Sequence, residues 1–242
     1  MISTEQLLYK LEQRLNKLSS SQFQSISKED RILVLNESQL KLIKKKLNKN
    51  NPEQEGYDSM KKRYEDLQIL VVPFENLPVT KTNDIHTSYQ GDITQLSQKY
   101  FVPLDMYCLA TRGNCKKHPI YIQRVARHGD LFSLMFNTNY APSFNYQETL
   151  CLISGNNIIV YSNDLDGDFI VTDLFVEYLR YPQEMDIAGY TKLDGTQSTN
   201  SDCELVDYLE DELLDIAVMQ LAMNTGNDNV MQGAAYNLKT NE

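Results

Sequence analysis

The sequence predicts an α+β fold in which N- and C-terminal helices frame a β-sandwich or barrel-like insert. Three observations carry this reading. Apolar residues recur every three to four positions through the first segment of the chain, up to Leu47. The period then falls to two across a series of β-branched and aromatic runs bounded by Gly, Pro, Asn and Asp. Helical spacing returns after Ser201, beyond a loop rich in Gly, Thr, Ser and Asn. The resulting boundaries are 1–67 and 201–224 for a helical frame, 68–200 for a β-rich domain and 225–242 for a C-terminal arm.

Ser3-x-x-Gln6 has the form of a capping box, and Leu7, Leu11, Leu15 and Leu18 follow at helical spacing, so a first helix is expected over 4–18. Ser27, with Glu29 and Asp30 in the next turn, opens a second helix that runs to Lys46. Its apolar set, Ile32, Leu33, Leu35, Leu40, Leu42, Ile43 and Leu47, is wider than one stripe and predicts contacts on two sides. Lys44, Lys45 and Lys46 stand where positive charge complements the C-terminal end of the helix dipole. Tyr57, Met60, Tyr64 and Leu67 suggest a further short helix. Strands are expected over 68–72, 104–111, 120–126, 131–136, 149–154, 158–162 and 169–180, with Ser154-Gly155-Asn156-Asn157 as the clearest hairpin turn. Ser201-x-x-Glu204 is a second capping box, followed by Leu205, Leu209, Leu213 and Ile216. That helix carries Asp207, Glu210, Asp211, Glu212 and Asp215, an acidic face expected to meet water, metal ions or a cationic surface.

Formal charge is −10 and unevenly distributed: thirteen Lys/Arg against ten Asp/Glu in 1–67, but one against nine in 201–242. An acidic chain repels a phosphate backbone, which argues against sequence-specific DNA binding. The start, Met-Ile-Ser-Thr-Glu-Gln, enters a helix without a basic region, apolar core or cleavage site, so synthesis in the cytoplasm is expected. No window approaches the roughly 18 apolar residues of a spanning helix, and no membrane partner is expected. Cys108, Cys115, Cys151 and Cys203 lack the spacing of a disulfide scaffold and are read as reduced thiols.

Candidate chemistry is sparse. Asp164, Asp166 and Asp168 alternate like the start of a calcium loop, yet the sixth and twelfth positions hold Phe169 and Phe175 rather than Gly and Glu, so a solvated turn is the better reading. Cys115-x-x-His118, with Cys108 nearby, lacks the second close pair of a structural zinc site. His86, His118 and His128 fall in no nucleophilic or metalloprotease motif, and no glycine-rich phosphate loop occurs. No enzyme activity and no cofactor are therefore expected. In the arm, Val230, Met231, Tyr236 and Leu238 are spaced like anchors of a segment that orders on a partner.

Three segments together resemble the head-to-tail adaptor and ring (connector) proteins of tailed phages, most closely the portal-proximal ring proteins of crAss-like phages. They are Ile32-Leu33-Val34-Leu35-Asn36-Glu37-Ser38-Gln39; Leu174-Phe175-Val176-Glu177-Tyr178-Leu179-Arg180-Tyr181-Pro182; and Cys203-Glu204-Leu205 with Glu212-Leu213-Leu214-Asp215-Ile216-Ala217-Val218. Ser38 departs from the expected Ala. The resemblance implies a virion protein of the phage neck: a homo-oligomeric ring of about twelve copies that docks to the portal and to another neck or tail ring. DNA would pass through it without sequence-specific binding. An acidic lumen would let the duplex slide. The alternative reading, motivated by the many strands and an aromatic content of 10%, is a β-sandwich binding module of a virion spike or fibre attachment.

Overall fold

The structure, a computed structural model, describes residues 2–18, 26–47, 65–83, 87–125, 127–162, 169–192, 195–225 and 232–234. The chain divides into two units, Met1–Ile69 with Pro182–Glu242, and Leu70–Tyr181.

The helical unit is built from α1 (Thr4–Leu18), α2 (Lys28–Leu47) and the last long helix, α4 (Glu210–Thr225). Helix α1 buries Leu7, Leu11 and Leu15, the stripe expected from its spacing. Helix α2 buries Ile32, Val34, Leu35, Leu42 and Ile43, while Leu33 is exposed. Helix α4 is buried on nearly every side, with Leu213, Leu214, Ile216, Ala217, Val218 and Leu221 in the core. The second capping box is not used. Residues 201–203 are extended, with bridges Ile2↔Cys203 and Asp186↔Ser201, and α4 begins only after a 3-10 turn at Asp207–Leu209. The would-be capping groups serve the preceding segment instead: Ser201 Oγ donates to the Glu184 carbonyl at 2.7 Å, and the Gln183 N–H donates to Glu204 Oε2 at 2.9 Å.

In the β unit, β1 (Val71–Leu77), β2 (Val79–Asn83), β3 (Thr87–Asp92), β4 (Tyr100–Thr111), β5 (His118–Val125), β6 (Glu148–Ser154), β7 (Asn157–Tyr161) and β8 (Ile170–Arg180) form one sheet. Its order is β1-β8-β4-β5-β6-β7-β3-β2. The two edge strands, β1 and β2, are separated in sequence by Pro78 alone. Proline has no N–H for the ladder, so the pairing breaks there. Consecutive Cα atoms lie about 3.8 Å apart, so opposite edges of the sheet must meet at this corner. The sheet is accordingly curled into a half-barrel. Gly91 on β3 makes the approach possible: a Cβ built there would stand 2.8 Å from Leu77 Cδ2 of β1 and 3.4 Å from Leu174 Cδ2 of β8.

Alternate residues fill the concave side: Met106, Cys108 and Ala110 of β4, Ile120 and Ile122 of β5, Ile158 and Val160 of β7, and Leu174, Val176 and Tyr178 of β8. Tyr178 is fully buried, yet its hydroxyl is satisfied, donating to Glu75 Oε2 at 3.0 Å and accepting from the Gln98 N–H at 3.3 Å. Strands β5 and β6 are parallel, joined by a crossover that contains α3 (His128–Met135). The hairpin expected at Ser154–Asn157 is present, with Ser154 paired to Asn157 and Gly155 at φ 58°.

Several expectations need correction. A single curled sheet replaces the sandwich alternative among the described residues. Of residues 131–136, read as a strand, 131–135 lie on α3 and Phe136 is its C-cap, because an apolar run this short fits both periods and Leu131 and Met135, four apart, form the buried face of the helix. The β unit ends at Tyr181 rather than at residue 200. The described residues of 182–200 hold no strand of the sheet, and the segment groups with the helices. Two strands, β2 and β3, were not anticipated, since Thr, Lys, Asn and Gly dilute their apolar alternation. The helix expected around Tyr57 and Tyr64 lies outside the described residues.

Candidate interaction surface

Within the described β unit, α3 covers part of the outer face of the sheet. Leu131 and Met135 of α3 pack on Val125 of β5 and on Leu150 and Leu152 of β6. Further round the curl, outward positions that would ordinarily be polar are aromatic. Phe175 of β8 and Tyr107 of β4 are register partners, and Tyr107 in turn pairs with Tyr121 of β5. Phe74, in the bulge of β1, completes the row. Tyr107 and Phe175 stack with centroids 4.9 Å apart and planes at 10°, and Phe74 meets Tyr107 edge-on at 5.0 Å. Phe74 remains 42% exposed and Tyr121 59%. Asp105 and Glu177 stand directly opposite each other two positions along the same ladder. Like charges so placed repel. On the other flank Lys117 Nζ lies 2.8 Å from Asp173 Oδ2, and this bond with that from Thr172 holds the Asp173 carboxyl below the usual carboxylate range. Clustered aromatic side chains, two exposed and two half-buried, beside charged groups have the make-up of a binding surface.

The acidic face expected on α4 is not a free surface. Glu212 and Asp215 are buried, and cations from the other two helices meet the acids. Lys10 pairs with Glu210 at 2.6 Å, Arg14 pairs with Asp211 and Asp215, and Lys46 bridges Glu212 at 2.9 Å and Asp66 at 3.2 Å. Tyr208 also donates to Asp66, which together with burial pushes its hydroxyl up to about 12. Opposite charges on neighbouring helices thus account for Lys46, and more weakly Lys45, of the α2 run and for Glu210, Asp211, Glu212 and Asp215 of α4. Ser38 is fully buried here. Its Oγ donates to the Val34 carbonyl at 2.7 Å, and the Gln220 amide nitrogen lies 2.5 Å from the same Oγ.

A further buried carboxylate, Asp186, organises the 182–200 segment. It accepts from Tyr190 Oη at 2.7 Å, Lys192 Nζ at 2.9 Å, the Ile187 N–H at 2.9 Å and the Thr199 N–H at 3.3 Å. Burial alone would raise its pKa, but these bonds outweigh burial and hold the carboxyl below the usual range.

The sequence-predicted positions are only partly on view. Val230, Met231, Tyr236 and Leu238 lie outside the described residues, as do Asp164, Asp166, Asp168 and His86. Cys108 is buried in the sheet's concave core whereas Cys115 is exposed in the β4–β5 loop, so the two do not converge with His118 on one point. His118 instead meets Phe144 edge-on at 6.0 Å. Burial pushes the Cys108 and Cys151 thiols up to about 12. Among the described residues no group of three His, Cys, Asp or Glu side chains is placed to hold a metal ion. Among the described residues no helix is long and apolar enough to cross a membrane. Sequence reading missed the aromatic row, although Tyr107, Tyr121 and Phe175 each alternate with core residues and so occupy outward positions of their strands. No known family profile matches the chain, and no curated protein is significantly similar to it.

Proposed function

We propose that this chain is a structural, non-catalytic subunit of a ring in the neck of a tailed phage, docking to the portal and contributing to the conduit that carries DNA from capsid to tail. The observation that carries the reading is the exposed aromatic row across β1, β8, β4 and β5, a surface suited to burial against another protein. The three segments that resemble ring proteins supply the identity: the first lies in α2, the second forms most of β8, and the third leads into α4. In this reading the terminal helices frame the β insert along the chain, about twelve copies close the ring, and residues 225–242 with Val230, Met231, Tyr236 and Leu238 reach a neighbouring ring or the portal. The channel lining is not assigned to α4 in this reading, because Glu210, Glu212 and Asp215 are paired with cations of α1 and α2. The net charge of −10 still disfavours gripping of the duplex.

Electron microscopy and mass measurement of the purified chain, alone and mixed with portal, test the proposal. Rings that bind portal are expected, with binding lost on deletion of residues 225–242. A strict monomer that ignores portal would sink it.

A second reading, a spike or fibre module that binds a glycan, draws on the carboxylates Asp173 and Glu177 beside the aromatic row. It is weaker because sugars stack on ring faces, and the faces of Tyr107 and Phe175 are turned toward each other. A glycan binder would also be indifferent to loss of residues 225–242.

A further inference from the structure

We propose that copies of this chain join head to tail through the β unit, the aromatic row of one copy receiving the outer surface of α3 on the next. This deepens the ring reading above and rests on it for closure.

Helix α3 has two faces. Leu131 and Met135 are buried against the sheet, while Phe132 and Phe136, also four residues apart and therefore on one side of the helix, are 52% and 67% exposed. Tyr140, just beyond the helix, is 51% exposed. The β unit therefore presents two aromatic surfaces. They occupy successive parts of the outer face: the row runs from β1 through β8 and β4 to Tyr121 of β5, and α3 sits beyond it on β5 and β6.

Their charges differ as well. The row borders the opposed pair Asp105 and Glu177, with Glu148 of β6 paired to Tyr121, and its other flank holds the Lys117–Asp173 ion pair, so carboxylates are in excess around it. The α3 surface opens with Arg127 and His128, both exposed, and carries Asp130 as its one acid. Packing the row on a second copy of itself would bring anionic pairs together, which is unfavourable. Packing it on α3 brings Arg127 toward Asp105 and Glu177 and buries Phe132 and Phe136 against Phe74 and Tyr121. Contacts between two different patches are head to tail, and such contacts close into a ring when the rotation from copy to copy closes and extend into a filament when it does not.

The test uses the full chain in three forms: unaltered, with Phe74→Ser and Tyr121→Ser, and with Phe132→Ser and Phe136→Ser. All four side chains are exposed, and circular dichroism checks that each form folds. Sedimentation velocity should show concentration-dependent association of the unaltered chain, weakened at least about tenfold in each variant. An equimolar mixture of the two variants should recover a discrete dimer, because each contributes one intact surface. An unaltered chain that stays monomeric at high micromolar concentration overturns the proposal. So does an α3 variant that assembles normally, or a mixture that gives no dimer. Assembly through these faces without portal binding would sink the neck reading and leave this contact standing, whereas portal binding by a monomer would do the reverse.

Discussion

Lys46→Met should destabilise the helical unit by about 2–3 kcal/mol. Its ammonium group stands between two carboxylates, 3.2 Å from Asp66 and 2.9 Å from Glu212, whose side chains are 1% and 9% exposed. Removing one partner of a buried ion pair costs about 3–5 kcal/mol, because the other charge stays buried. Here each carboxylate keeps a second donor, Tyr208 for Asp66 and Lys45 at 3.4 Å for Glu212, which lowers the figure. At about 2–4 °C per kcal/mol for a chain of this size, the helical melting transition should fall by about 5–10 °C. Urea and thermal unfolding followed by far-ultraviolet circular dichroism would measure it. Lys44→Met is the control. Lys44 belongs to the same lysine run but is exposed, and its loss should stay within about 0.5 kcal/mol. Equal effects of the two substitutions would refute the bridging role and return the run to a simple complement of the helix dipole.

Gly91→Ala should cost about 1–3 kcal/mol in unfolding of the β unit, since the new methyl meets Leu77 where the sheet edges converge; an unchanged denaturation midpoint would contradict the closure. Ser38→Ala should lose about 1–2 kcal/mol by leaving the buried Gln220 amide without its Ser38 partner, and Gln220→Met in the same chain should recover much of that loss. Acid titration should weaken the 182–200 segment. The folded pKa of Asp186 is depressed, so its stabilisation is present above the unfolded value of about 3.9 and is lost as pH falls through the folded one; Asp186→Asn should flatten that limb of a stability-against-pH curve. Among the four thiols, Cys115 alone should react promptly with a thiol reagent in the folded protein, with Cys108, Cys151 and Cys203 reacting only on unfolding.

Local periodicity made the helices legible. The spacing of Leu7, Leu11 and Leu15 located α1 over 4–18, and α2 ends one residue beyond Lys46. It also located the hairpin between β6 and β7, where the turn residues and flanking alternation agree. What it does not encode is which elements meet. The acids of α4 looked unpaired because Lys10, Arg14 and Lys46 lie far away in sequence and arrive only through helix packing. The capping box at Ser201 was a correct local pattern overruled by bonds to Gln183 and Glu184. The run at 131–136 fits either period, and only its packing against β5 and β6 makes it a helix. The meeting of β1 and β2 around Pro78 depends on pairing across the whole sheet, although the proline itself marks the break.

The ring claim is tested most directly by cryo-electron microscopy of the chain mixed with portal. The account predicts a closed ring seated on portal, with density joining Phe74 and Tyr121 of one copy to Phe132 and Phe136 of the next. Isolated monomers beside an undecorated portal would contradict it.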